Sequence, residues 1–343
     1  MLSETSETPV SMSPRKVWTV ARRSAVRASH GQLAVLVLVL ILIAAFAQSR
    51  SSVFLHWSNI VDILRASVTT FVIGAAATIV FVGGGLDLSV GAVFSFGAVV
   101  AGELMVHGWS WPLAVVTGLA GGAAVGLVNS GLVLLARVPP IIATLSTLYA
   151  VGGIALVLTN GTPLAPLPAD FNALGQNSAG GLPLLIIYAL AIGVLFHVLL
   201  RFTRFGYDVQ ALGGNARAAL ANGVRVNRVT TMVYVVSGVM AALAGILYTA
   251  RTGTADPQAG GADVTLAVIA ATLIGGTSLF GGVGTILGTA FGAVLFAEIT
   301  DALTVANINP LYQDIILGGI LAAAVAADSW RRARAFKTGS GYR

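Results

Sequence analysis

The sequence predicts an all-α membrane protein that crosses the bilayer about ten times. Of its 343 residues, 56% are hydrophobic and only 9% are charged, whereas about a quarter of a typical soluble domain is charged. Mean hydropathy is +0.89, and apolar segments near the spanning length of about 20 residues recur along the chain. Because a soluble core cannot absorb this apolar excess, residues 32–330 are predicted to form one helical transmembrane domain.

The predicted spans follow one another with short connections. The first, at 33–47, ends in Ala45-Phe46-Ala47, which also resembles a signal-peptidase site. A retained helix is preferred because so many spans follow it. The other nine lie at 60–82, 90–107, 112–136, 140–158, 182–200, 229–250, 264–280, 284–303 and 311–327. Residues 1–31 are predicted to be a disordered, basic segment, and 331–343 a basic tail.

Basic residues indicate the orientation of these spans. With the amino terminus inside, all but three of the 19 Lys and Arg residues fall in inside segments; Arg50 and Arg251 fall outside, and Arg65 lies within a span end. Since cytoplasmic loops carry the excess of positive charge, both termini are predicted to be cytoplasmic. The sequence thus predicts a multi-pass membrane protein. The net charge of +6 reports this orientation and does not indicate nucleic-acid binding.

Two glycine-rich stretches resemble each other. Val68 to Glu103 contains the run 84–91, and Val264 to Glu298 contains the run 275–284; in each, an apolar helix, a glycine-rich break and a second helix succeed one another. Interrupted helices at matching positions of two repeats are typical of a substrate path. The predicted path residues are Gly84, Gly85, Asp87, Ser89, Asn129, Gly275, Gly276, Thr277 and Ser278.

Asp87 is the most informative charge near the membrane interior. Because a carboxylate at a helix centre costs about 2.5–3.5 kcal/mol on insertion scales, it usually faces protein or water. It could cap the next helix by accepting N–H groups near Ser89 and Val90, line the solute path, or do both. Asn129 could bond to a neighbouring helix or contact solute. Glu103, Glu298 and Asp301 lie near predicted outside span ends, where solvated carboxylates are expected.

The longest predicted inside loop, 201–228, carries its own structural signals. Asn215 can cap a short helix from Ala216 to Ala221, and Gly223 can supply the left-handed residue that ends it. A docking surface for a cytoplasmic partner is preferred over a solvated loop that only holds topology. The predicted coupling residues are Gly214, Asn215, Arg217, Ala218, Leu220 and Gly223.

Catalysis is not expected in this chain. Cysteine is absent, and the four histidines lack metal-ligand spacing. The only lysines, Lys16 and Lys337, do not follow a glycine, so no phosphate-binding loop is present. We therefore expect no catalytic residue, no metal site and no cofactor here.

Several motifs occur in an order that resembles the monosaccharide-importer permeases of ABC transporters, of the ribose type and related to the branched-chain amino acid permeases. They are the runs 84–91, 203–206 with 213–215, Gly223-Val224, Ser237-Gly238 and 275–282. Leu86 stands where that family usually has Ile.

The resemblance implies a permease dimer, most simply a homodimer, that works by alternating access. It also implies a cytoplasmic ATPase that carries ATP and Mg, a periplasmic or lipid-anchored solute receptor, and a coupling helix at 215–223. The alternative is a secondary transporter driven by a proton or sodium gradient, which also uses broken helices. A scaffold without transport would explain neither the breaks nor Asp87. Pentoses, hexoses, sugar alcohols and related signalling furanoses all stay open as solutes.

Overall fold

The structure, a computed structural model, describes residues 33–309 and then residues 312–313, 315–316, 318–320, 322–323, 325–326 and 329. The predicted terminal segments 1–31 and 331–343 lie outside the described residues. In the described part nearly all regular structure is helical, as the apolar composition predicts.

The helices are α1 (Leu33–Arg50), α2 (Trp57–Val82), α3 (Val90–Val106), α4 (Trp111–Leu134), α5 (Pro140–Leu158), α6 (Ala169–Gln176), α7 (Leu184–Phe202), α8 (Arg204–Gly214), α9 (Ala216–Ala221), α10 (Val226–Thr252), α11 (Ala262–Ile274) and α12 (Ile286–Val305). A two-residue hairpin, β1 (Ser178–Ala179) and β2 (Leu182–Pro183), precedes α7. The described positions between 312 and 329 are also helical.

Seven of the described helices are long and apolar enough to cross a membrane: α1, α2, α4, α5, α7, α10 and α12. The all-α, polytopic membrane fold is thereby confirmed. Two further apolar helices, α3 and α11, are shorter, and the last predicted span is described only in part. The count of ten spans stays a prediction.

The predicted span at 264–280 is too long. Helix α11 has 13 residues and ends at Ile274, so it rises about 20 Å, less than the roughly 30 Å of a hydrocarbon core. Glycines end it, because Gly276 adopts a positive φ of 89°, which interrupts a right-handed helix. The chain then continues as irregular structure until Thr285 caps α12 by accepting a bond from Gly288 N at 3.0 Å.

Helix α10 lies at the centre of the fold and packs against α2, α3 and α4. Glycines allow backbone contact between α4 and α10, since a Cβ on Gly122 would lie 2.4 Å from the Gly238 oxygen. Close approach through small residues is the usual way in which membrane helices associate without a hydrophobic drive. This contact fixes which face of α10 packs against α4.

The connection from α10 to α11 runs back into the protein beside α3. Ala255 pairs with Leu164, and Gly260 N donates to Ser95 Oγ in α3 at 2.8 Å. Thr265, in the first turn of α11, accepts a bond from Gly91 N at 3.1 Å. Helix α11 therefore starts beside the first turn of α3, with Ala262 and Asp263 exposed and Thr265 buried against α3.

Candidate functional site

The first glycine break ends α2 with a well-defined hydrogen-bond pattern. Gly84 has φ +77°; its N–H donates to Phe81 O at 2.8 Å, and Gly85 N donates to Val80 O at 2.9 Å. These two bonds, with a left-handed glycine between them, form a Schellman termination. The local sequence dictates this end, because glycine takes the positive φ without steric cost.

The second break ends α11 in the same way. Gly276 has φ +89°; its N–H donates to Leu273 O at 2.8 Å, and Thr277 N donates to Thr272 O at 3.1 Å. The two helix ends thus share spacing, glycine conformation and bonding. This match is what two copies of one motif would show, and the assignment of internal repeats stays a prediction.

Asp87 lies in the irregular segment between α2 and α3 and is only 6% exposed. Its Oδ1 accepts bonds from Ser89 N at 3.0 Å and from Ser89 Oγ at 2.6 Å. Its Oδ2 accepts a bond from Ser237 Oγ of α10 at 2.7 Å. The carboxylate thus accepts the Ser89 N–H at the start of α3, and it also ties that start to α10.

Asn129 and Thr147 extend this cluster to two more helices. Asn129 Nδ2 donates to Ser89 Oγ at 2.8 Å and lies 3.5 Å from Asp87 Oδ1. Thr147 Oγ1 donates to Asn129 Oδ1 at 2.7 Å. All three of these partners are buried, as is Asp87. We call Asp87, Ser89, Asn129, Thr147 and Ser237 the Asp87 network; it joins the first break to α4, α5 and α10.

The predicted path residues of the second break lie in a different part of the fold. Thr277 is fully buried and Ser278 is 7% exposed; Ser278 N donates to Val283 O at 2.9 Å. The Thr277 hydroxyl has no hydrogen-bond partner among the described residues. Gly275 packs so closely on α12 that a Cβ there would lie 2.4 Å from the Gly288 oxygen. The structure therefore groups the predicted path residues into two sets, one at each break. The polar side chains of both sets are buried, whereas Gly84 is exposed.

Both breaks meet the end of α8 at one point. Gly282 N donates to Val82 O at 2.8 Å, which joins the second break to the end of α2. A Cβ on Gly213 would lie 1.8 Å from the same Val82 oxygen, and a Cβ on Gly281 would lie 2.6 Å from Gly213 O. We call Val82, Gly213, Gly281 and Gly282 the glycine junction. Through it, the backbone of α8 contacts the end of α2 and the irregular segment that follows α11.

The predicted coupling residues follow directly after this junction. Helix α9 spans Ala216–Ala221 as predicted, with Asn215 Oδ1 accepting a bond from Ala218 N at 3.1 Å, and Gly223 has φ +84°. All six predicted coupling residues are exposed. Sequence reasoning missed α8, whose Thr203 cap accepts a bond from Gly206 N and whose last residues enter the junction.

One carboxylate departs from its expected environment. Glu298 in α12 was expected to be solvated near a span end, yet it is 6% exposed, and its Oε2 has no hydrogen-bond partner among the described residues. Its neighbour Asp301 accepts a bond from Asn59 Nδ2 at 2.8 Å. Packing of α12 against α2 removes Glu298 from the surface, which one helix's sequence cannot show.

Comparison with known proteins covers most of the chain. Residues 59–325 match the family model described as branched-chain amino acid transport system / permease component. The chain is 35% identical to the D-allose transport system permease protein AlsC of Escherichia coli. The 289 aligned residues cover 84% of this chain and 88% of that protein. No solved structure gives a significant match.

Two further relatives match over comparable lengths. The ribose import permease protein RbsC of Bacillus subtilis is 35% identical over 277 residues, with 80% of this chain and 86% of the relative covered. The L-arabinose ABC transporter permease protein AraH of Azospirillum brasilense is 35% identical over 320 residues, with 92% and 90% covered. The similarity thus extends over the helical core that holds both breaks.

Proposed function

The chain belongs to the family of branched-chain amino acid transport system permease components, and we propose that it is the permease subunit of an ATP-driven importer for a monosaccharide or a related small polar solute. As a permease component it is a transport subunit and not itself an enzyme. The observation that carries the solute class is the near-full-length similarity to three permeases whose names specify allose, ribose and arabinose.

We further infer that transport proceeds by alternating access around the two breaks. In transporters with interrupted helices, the breaks form the substrate site, and alternating access is largely a rigid-body movement of one repeat against the other around that site. The Asp87 network supports this role, since it holds the start of α3 through hydrogen bonds from Ser89 and Ser237. Both carboxylate oxygens are bonded to protein groups, so in this conformation Asp87 positions the break.

ATP and Mg are proposed to act on a separate cytoplasmic subunit that grips residues 215–223. Three features support the proposal: the capped helix α9, its exposed Arg217 and Leu220, and the adjacent glycine junction. A contact shifts a conformational equilibrium only if it differs between the two states. A short helix that follows α8 after the single residue Asn215 meets this condition, because displacing it would move the Gly213 backbone against the Val82 carbonyl of α2.

The other proposed partners are a second permease copy, in a homodimer, and a periplasmic or lipid-anchored receptor that delivers solute. The proposed location is the bacterial cytoplasmic membrane, with both termini inside. The seven long apolar helices support membrane insertion, and the positive-inside distribution supports the orientation. The same distribution of apolar and basic residues supports the proposed division into residues 1–31, 32–330 and 331–343.

An ion-driven secondary transporter is the competing function. The relatives give it no support: their names are those of import or transport-system permeases, and one is named as an ABC transporter permease. The surface helix α9 is also better explained by a cytoplasmic partner.

Uptake measurements distinguish these functions. The permease, co-expressed with its candidate ATPase and receptor, should take up at least one labelled sugar from a panel of ribose, allose, arabinose and related polyols. Uptake should stop when the ATPase carries a substitution that abolishes ATP hydrolysis. Uptake that persists without the ATPase and collapses with an ionophore would instead establish the secondary transporter.

A further inference from the structure

A cavity of about 450 Å³ lies between the last turn of α4 and the first turns of α10, away from both glycine breaks. One part of its wall is aliphatic, with Leu127, Leu135 and Met232. The other part is polar and includes Arg228 and Thr231. The cavity is therefore amphipathic. An ordinary groove between membrane helices that faces only hydrocarbon would not need the polar part.

Arg228 brings a positive charge to this cavity. Its side chain is exposed, and among the described residues it forms no ion pair and no side-chain hydrogen bond. Arg137 follows α4 by three residues, and Arg225 immediately precedes α10. Both are exposed, so the polar end of the cavity lies in a region of net positive charge at the predicted cytoplasmic surface.

The aliphatic wall faces outward from the protein. Leu135 is 86% exposed, Leu127 is 54% exposed and Met232 is 44% exposed. Side chains of this size at such exposure are stable where hydrocarbon contacts them. Arg228 lies in the first turn of α10, whereas Met232 lies about one turn further along that helix and Leu127 about two turns before the end of α4. The order of these apolar side chains and the cation matches the order of acyl chain and phosphate in a lipid.

We propose that this cavity binds an anionic phospholipid, with its phosphate at Arg228 and an acyl chain along Leu127, Leu135 and Met232. Basic pockets between helices on the cytoplasmic side of a membrane favour anionic headgroups, and Arg matches phosphate by paired N–H donors. Thr231 and Asn227 supply further donors at the same end. The placement at the inner leaflet rests on the proposed orientation, whereas the chemistry of the cavity does not.

Native mass spectrometry of the purified full-length permease tests the proposal, with phosphatidylglycerol and phosphatidylcholine of identical acyl chains as probes. Wild type should retain phosphatidylglycerol in preference to phosphatidylcholine. Arg228→Gln should lower phosphatidylglycerol retention by about fivefold, the effect of one arginine at a membrane surface. Arg251→Gln, at the opposite end of α10, is the matched charge control and should leave retention unchanged.

A second pair of variants tests the acyl-chain part of the cavity. Gly131 lines the cavity, and a Cβ there meets no atom within 4 Å, so the leucine of Gly131→Leu can leave the backbone freely and occupy part of this space. It should reduce retention of phosphatidylglycerol while Arg228 is unchanged. Gly153 of α5 is equally open, and Gly153→Leu should retain lipid as wild type does.

The lipid site would be overturned if wild type retained the two lipids equally, or if both Arg228→Gln and Gly131→Leu retained phosphatidylglycerol as wild type does. Loss of the permease dimer in Gly131→Leu would also overturn it, because that result would assign this face to a second copy. Displacement of the lipid by millimolar inorganic phosphate alone would identify a free-anion site instead. Lipid retention needs no ATPase, receptor or sugar, so its failure is distinguishable from failure of the proposed import function, which is read by uptake.

Discussion

Replacing Gly213 with alanine should uncouple α8 from the end of α2 and the irregular segment that follows α11. The added Cβ would lie 1.8 Å from the Val82 oxygen and 2.8 Å from Gly282 N. Real Cβ atoms essentially never approach another heavy atom closer than 3.0 Å. The obstructing atoms are backbone, so no rotamer change relieves the contact, and α8 and the end of α2 must separate by at least 1.2 Å, from 1.8 to 3.0 Å.

The structure sets the scale of the effect. If the Val82 oxygen moved by that amount away from Gly282 N, their separation would grow from 2.8 Å to about 4.0 Å, beyond hydrogen-bond range. Loss of one backbone hydrogen bond costs about 0.5–1.5 kcal/mol net, and 1 kcal/mol corresponds to about a fivefold change in an equilibrium. We therefore expect uptake to fall about fivefold or more.

The assay is initial-rate uptake of whichever panel sugar the wild-type importer transports, normalised to the permease present in membranes. Gly153→Ala is the matched control. It places the same methyl group on a helical glycine of α5, outside the glycine junction and the predicted coupling residues, where a Cβ meets no atom within 4 Å. Wild-type uptake in Gly213→Ala, with normal membrane levels, would refute the reasoning that the glycine junction transmits movement.

Three other sets of substitutions test the remaining features. Asp87→Asn should retain most uptake, because the amide oxygen still accepts the Ser89 N–H and its nitrogen can donate to Ser237; Asp87→Leu should lower folded yield and uptake, because a buried unpaired N–H costs about 1–3 kcal/mol. Ser178→Cys should react with an impermeant maleimide in intact cells, and Ala218→Cys only after permeabilisation, because Ser178 is predicted outside and Ala218 inside. Gly223→Val should lower receptor-stimulated ATP hydrolysis, because a left-handed conformation, here φ +84°, costs a side chain about 1–2 kcal/mol.

Each of these experiments has an internal control. For Asp87, size-exclusion profiles report folding; an Asp87→Asn variant that folds normally yet transports nothing would show that the charge itself is needed. For the labelling test, the parent contains no cysteine and gives the background; inverted reactivity would reverse the orientation. For Gly223, the membrane level of the permease controls for insertion, and unchanged ATP hydrolysis and uptake would contradict a coupling role for α9.

The sequence alone determined the features that depend on neighbouring residues. The composition and the apolar run lengths specified a helical membrane protein, because the bilayer requires every spanning backbone to satisfy its own hydrogen bonds. The predicted span 60–82 ended where α2 ends, and Asn215 with Gly223 bounded α9 correctly; the glycine-rich run 275–284 indicated the second break, although the predicted span ran past it. In each case the physical cause, a cap or a positive φ, acts within a few positions of the residue that signals it.

Only the tertiary structure decided which distant groups meet. Ser237 bonds to Asp87 across 150 positions, and Thr147 joins the same network although nothing in α5 singles it out. Gly213 was visible as a glycine, but its contact with Val82 arises only when α8 folds back on α2. The short α11, the inward course of 255–261 and the burial of Glu298 likewise follow from packing between helices. Burial and partner identity depend on the whole helix arrangement, which local periodicity does not encode.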